Sequence, residues 1–267
     1  MAEITAKMVN ELRAKTGQGM MECKKMLTEV GGDVDKAIDA FRAKGVKSSL
    51  TERVAGEGRV LGAISADYKT AALVEINCNT DFTAKSEPVA VLGRAAANAL
   101  VAGQDAAAAV KEQLTHVSQT TGENVVLGKT ASLSGDRVGL YLYGISGKIG
   151  VVLQFGGTVA NVTDELVTDV GGHIAFSKPL AMTRDQIDPA VVEKERAFAV
   201  EEAKATGKPE QIAVKIAEGK LNAFFKEKAL LDQDFFNAGK FKGSVGQMIK
   251  DKGLTLVNYV RVEVGQA

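Results

Sequence analysis

Apolar and polar positions change period several times along this chain, and the changes divide it. The first stretch carries three short runs at helical spacing. Thr5 is placed to cap a helix whose apolar face, Met8, Val9 and Leu12, stops at Gly17. Met20, Cys23, Lys24 and Leu27 continue at helical spacing to the break at Gly31-Gly32. Asp33 then caps a third helix, with Val34, Ala37, Ile38 and Phe41 on one side, ending near Gly45. "VKSSLTERVAGEG" follows with no strong period. The pattern predicts a three-helix bundle over 1–46 and a linker over 47–57.

From there the period drops to two. "GRVLGAISADYKTAALVEIN" alternates around a turn at Asp67-Tyr68-Lys69, which predicts a β-hairpin, and Val89, Leu92, Ala96 and Leu100 then mark a helix. "DRVGLYLYGISGKIGVVLQF" repeats the hairpin, turning at Ser146-Gly147. It leads into a second helix with Leu166, Val170, His173 and Ile174. Strand, strand, helix thus occurs twice, predicting two related α+β subdomains with antiparallel sheets over 58–136 and 137–267. Inside the second, a protruding αα-hairpin is expected over 189–228, turning at "TGKP", with Ile212, Ile216 and Phe224 on one side. The chain continues into a short helix from Ser244 and a strand with Val260, Val262 and Val264 on one face.

Composition narrows the function classes. Lysine plus arginine and aspartate plus glutamate both number 33, so formal net charge is zero. A nucleic-acid binder usually carries a basic excess, so nucleic acid is a poor first choice of partner. No apolar run approaches the roughly 20 residues of a membrane span, and the start of the chain carries early charge without a signal core. A soluble, cytoplasmic protein is expected. Cys23 and Cys78 lie far apart and read as reduced, buried thiols.

Candidate chemistry is sparse. His116 sits in a polar helical stretch and reads as exposed, and His173, on an apolar face, reads as a satisfied core histidine. No metal site and no cofactor are expected, and the chain does not read as an enzyme. "GENVVLGKT", residues 122–130, approaches a phosphate-binding loop but has five residues between its glycines where that loop needs four. It also follows a helical stretch and leads into a strand, the reverse of the required context.

Two segments carry a family resemblance. "NELRAKTGQGMMECKKMLTEVGGDVDKAIDAFRAKG" and "NCNTDFTAKSE" are similar to signatures of the elongation factor Ts family. "KIGVVL", "HIAFSKP", "VVEKE", "GKPEQIAVKIAEGKL", "LLDQDFF", "SVGQMI" and "VRVEVG" match further family blocks in order. Thr83 departs from the family's usual Val. The second hairpin lacks the histidine many members carry before the Lys/Arg-Ile-Gly-Val block, and the C-terminal helical module of some members is not expected here.

The resemblance implies a bundle of the ubiquitin-associated type. It also implies a guanine nucleotide exchange factor that binds the GTPase elongation factor Tu without itself binding nucleotide. Thr80, Asp81, Phe82 and Thr83 would enter beside the partner's magnesium site. Arg13, Met20, Met21 and Lys24 of the bundle would border the partner, and Phe236 and Asn237 would face a second partner domain. Read without the resemblance, several of these residues keep two roles. Thr80 and Asp81 are both good N-cap residues. Phe82 and Phe236 could each be core. Adjacent Met20 and Met21 cannot both be buried by one helix face. Two other functions stand as alternatives: an NTPase resting on "GENVVLGKT", and a ubiquitin- or RNA-binding adaptor resting on the bundle.

Overall fold

The computed structural model describes residues 4–16, 18–43, 54–144, 147–205, 207 and 209–266. The fold class is α+β, with ten α-helices and six strands among the described residues.

The bundle comprises α1 (Ala6–Thr16), α2 (Met20–Glu29) and α3 (Val34–Ala43). Thr5 Oγ1 accepts from the Met8 amide at 3.3 Å, and Asp33 Oδ1 accepts from the amides of Asp35 and Lys36 at 3.0 Å each, so both expected caps form. Val9, Leu12, Cys23, Met26, Leu27, Ala37 and Phe41 make its core. Cys23, Met26 and Leu27 form the inward face of α2, and Met20 and Met21 at its start face water. Residues 44–53 lie outside the described residues, and with them most of the expected linker.

Two three-stranded antiparallel sheets follow, built on one plan. In the first, β1 (Glu57–Ile64) pairs with β2 (Thr70–Cys78). The chain then forms α4 (Asp81–Lys85), α5 (Glu87–Val101) and α6 (Ala106–Thr121) before β3 (Val126–Ser134) adds to the other edge of β2. In the second, β4 (Arg137–Leu142) pairs with β5 (Ile149–Gly157). After α7 (Asp164–Ser177), α8 (Pro189–Ala205), α9 (Glu210–Lys228) and α10 (Val245–Asp251), β6 (Leu254–Glu263) adds beside β5. Of the expected second turn at Ser146-Gly147, Ser146 lies outside the described residues, and Gly147 sits at φ +58°.

The sheets pack against each other, and helices cover their outer faces. Val60, Ala71, Leu73, Val138, Val152 and Val262 fill the space between sheets. Val74, Ile76 and Cys78 point the opposite way, onto Val89, Leu92 and Ala96 of α5. Leu153 and Phe155 likewise meet Leu166, Val170 and Ile174 of α7. The two central strands are therefore buried on both faces. Gly93 lets α5 lie directly on β1, since a Cβ there would sit 2.5 Å from Leu61 Cγ.

The hairpin of α8 and α9 packs on itself through Ala199, Ala203, Ala213 and Ala217, with Val200 and Ile216 at the margin. Ile212, expected on the packed side, is exposed instead, because small alanines one position along bring the two helices together. No helix among the described residues is long and apolar enough to cross a membrane.

Candidate functional site

β2 ends at Cys78, and two residues later the chain turns into α4, a helix of only five residues. Thr80 is its N-cap: the Thr80 hydroxyl oxygen accepts from the Thr83 amide at 3.2 Å. Asp81, also a capping candidate from sequence, is instead the first helical residue. Its carboxylate accepts from Lys85 Nζ at 2.8 Å, and this lysine holds it below the usual aspartate range. Phe82 projects outward and is 85% exposed, so the packing alternative for this ring is excluded by its position.

Thr83 corrects the sequence expectation. It is grouped there with the partner-facing residues, but its side chain turns inward and is 8% exposed. One helical residue beyond Phe82, it is rotated about 100° around the short helix, onto its buried side. Its carbonyl accepts from both the amide and the hydroxyl of Ser86, at 3.0 and 2.7 Å, which joins α4 to α5.

The turn is gripped from far along the chain. Glu123 Oε2 accepts from the amides of Asn79 and Thr80 at 3.0 and 3.1 Å, and Glu123 Oε1 accepts from the Thr80 hydroxyl at 2.6 Å. Asn79 Oδ1 in return accepts from the Asn124 amide at 2.8 Å. Burial pushes the Glu123 carboxyl upward, but bonds from the hydroxyls of Thr80 and Thr83 and from the two amides outweigh it, leaving a net shift below the usual range. The Cys78 thiol beneath the turn is held protonated: burial, reinforced by Glu123, pushes its pKa up to about 11.

This grip also explains "GENVVLGKT". Gly122 closes α6 in the left-handed region at φ +67°, Glu123 and Asn124 hold the Phe82 turn, and Val126 onward runs into β3 paired with β2. The backbone from Val126 to Thr130 is committed to a sheet rather than curled into an anion cradle. Sequence reasoning passed over Glu123. The available signal was an acidic residue directly after a helix-closing glycine, in a segment judged only as a nucleotide motif.

A second exposed aromatic is built on α7. His173 is buried, as expected, between Gln233 and Phe235. Its Nδ1 accepts from the Phe236 amide at 3.2 Å, so its Nε2 carries the proton donated to Gln233 Oε1 at 2.9 Å. The Ser177 hydroxyl donates to the same Gln233 oxygen at 3.0 Å. Phe235 turns into the core while Phe236 stands 52% exposed, their rings meeting edge to face at 4.9 Å. Asn237 is half-buried, and its Oδ1 accepts from the amides of Gly239 and Lys240, closing a local turn. Phe176 and Leu180, neither singled out from sequence, are exposed near the end of α7.

In the bundle, Arg13 and Lys24 are exposed. Met20 and Met21 are both exposed as well, at 55% and 77%. Neither methionine enters the core, since Cys23, Met26 and Leu27 fill the inward face. These four residues and Phe82 are all outward-facing side chains carried on helices.

The chain has known relatives. A family model described as "Elongation factor TS" matches residues 79–266, from the start of the gripped turn to beyond β6. The chain belongs to the elongation factor Ts family. An elongation factor Ts of Photorhabdus laumondii is 36% identical, over all of this chain and 94% of the relative. Proteins of the same name from Yersinia pestis and Yersinia pseudotuberculosis are 37% identical, over all of this chain and 93% of theirs. Members of the elongation factor Ts family are translation elongation factors. Their shared model begins at Asn79, the residue that exchanges bonds with Glu123 and Asn124.

Proposed function

We propose that this chain is the guanine nucleotide exchange factor for elongation factor Tu, acting in the cytoplasm by binding alone. It carries out no bond chemistry of its own, binds no nucleotide and needs no nucleic acid. Phe82 carries the reading: a large apolar side chain held in water on an anchored turn is poised for burial in a partner. Burying such a ring contributes about 1.5–3 kcal/mol. When that burial is gained as the nucleotide leaves, and already in the transition state for its departure, it appears as faster GDP release.

The partner's magnesium ion bridges nucleotide phosphates and protein oxygens, so small shifts of its ligands cost much of the bridge. In this reading Phe82 enters beside that site and moves those ligands, while Asp81, tied to Lys85, keeps the helix start in shape. Arg13, Met20, Met21 and Lys24 add contact area on one partner domain, and Phe236 faces another.

The test is GDP release from elongation factor Tu loaded with fluorescent GDP. Phe82→Ala should slow release about 10- to 100-fold, the equivalent of the buried ring, with the melting temperature essentially unchanged. Full activity in the variant, or no acceleration by the unaltered chain, would overturn the reading.

A further inference from the structure

We propose that Glu123 is the positioning residue of the exchange site: its carboxylate ties the start of α4 to the end of α6, and Phe82 engages its partner from that tied turn. This inference rests on the reading of Phe82 given above. Three observations carry it.

First, α4 cannot hold itself. A five-residue helix is far below the length at which isolated helices persist, and it begins with backbone amides that have no partner within it. Second, Glu123 supplies what the helix lacks. One carboxylate oxygen accepts from two successive amides, Asn79 and Thr80, just where β2 stops. The other accepts the Thr80 hydroxyl proton, which turns that oxygen's lone pairs toward the Thr83 amide it caps. Bonds to an ionised acceptor are about twice as strong as neutral ones. Third, the corresponding place in the second sheet unit is built differently. There Thr163 caps α7 by accepting from the Leu166 amide, and the Val162 amide bonds to the Val159 carbonyl in a local turn. That helix is 14 residues long and carries Glu165 where the first unit carries Phe82. The long-range carboxylate grip accompanies the short helix with the exposed phenylalanine.

Glu123→Gln keeps the shape but turns one acceptor into a donor that faces other donors. Two measurements on the full chain test the proposal. In residue-resolved amide hydrogen exchange, the Ala84 amide, bonded to Thr80 O, should exchange at least tenfold faster in Glu123→Gln. The amides of α5 should be unchanged. Glu123→Asp, which retains the charge on a shorter arm, should show a smaller acceleration at the same amide. It also serves if Glu123→Gln does not fold. Unchanged Ala84 exchange in a folded variant, or equal loosening of α5, would overturn the proposal.

The second measurement is a double-mutant cycle in GDP release from elongation factor Tu, read at saturating factor. Glu123→Gln should lower the maximal rate about tenfold when Phe82 is present and have no effect in a Phe82→Ala background. Additive losses would show that Glu123 acts by another route and sink the positioning role. If Phe82→Ala alone leaves release intact, the exchange reading of Phe82 fails, and the hydrogen-exchange result still decides whether Glu123 holds α4.

Discussion

The Phe236 amide donates to His173 Nδ1 at 3.2 Å, so an exposed aromatic is set in place by a buried imidazole. The bond requires that nitrogen to be unprotonated. Burial lowers the His173 pKa below its ordinary value of 6.5, against a smaller raising effect of the Gln233 bond. The groups packed on the ring, Gln233, Phe235 and Phe236, are uncharged, as is Ser177, which bonds Gln233. Asp169, one turn before, is paired with Lys240, and Lys178 beyond is paired with Glu263.

This predicts the sign of a pH effect. Below pH 6.5 the unfolded chain takes up a proton at this position that the native chain resists. His173 therefore contributes stability in full above 6.5, and the contribution is lost as pH falls through the lower native value. Urea unfolding at a series of pH values should show stability declining below 6.5, with a shallower decline in His173→Gln. An equal slope in both chains would show that other groups are responsible.

Met20 and Met21 separate surface from core within one helix. Replacing both with alanine should change the melting temperature little, since exposed substitutions stay within about 0.5 kcal/mol. Leu12→Ala, fully buried in the same bundle, should cost about 2–5 kcal/mol. Calorimetry on both variants checks the contrast, and titration with elongation factor Tu should find the methionine variant weakened despite its intact fold.

Alanines space the long hairpin. Ala203 is fully buried between α8 and α9, so Ala203→Leu should overpack the contact and cost about 1–3 kcal/mol. The damage should stay local. Hydrogen exchange should rise along α8 and α9 and remain unchanged in β5, whose core is separate.

Linkage supplies a prediction that involves no mutation. If the chain lowers the affinity of elongation factor Tu for GDP, then GDP must lower the affinity for the chain by the same factor. Excess GDP with magnesium should dissociate the complex in gel filtration. Equal binding to the empty and GDP-loaded partner would remove exchange as the function.

What the residues disclosed unaided follows their physics. Period-two runs marked β1, β2, β4 and β5 because strands with a turn between them declare themselves locally. The caps at Thr5 and Asp33, the core histidine and the hairpin helices were equally legible. The fate of Phe82 was not: a phenylalanine at a helix start packs inward or outward according to what lies beneath it, and here Thr83 and Ala84 occupy the inside. Glu123 was invisible for a related reason. Its partners stand 43 and 44 positions away, so the acidic residue after the helix-closing glycine gave no indication of what it would bind. Ile212 was placed on the packed side because helical spacing allows several adjacent stripes, and only the neighbouring helix selects one.

The order in which strands join each sheet has a consequence for synthesis on the ribosome. The first sheet has all its strands once residue 134 is made. The second has β4 and β5 by residue 157, yet β6 is not translated until roughly a hundred residues later. At about 5–20 residues per second, the nascent chain carries an open, hydrogen-bond-hungry edge on β5 for about 5–20 s. Throughout that interval the apolar faces of Val60, Leu73 and Val152 lack the cover that Val262 later brings. A newly made chain of this topology is thus most prone to strand-edge association just before its last strand emerges, when chaperone shielding would be of greatest use.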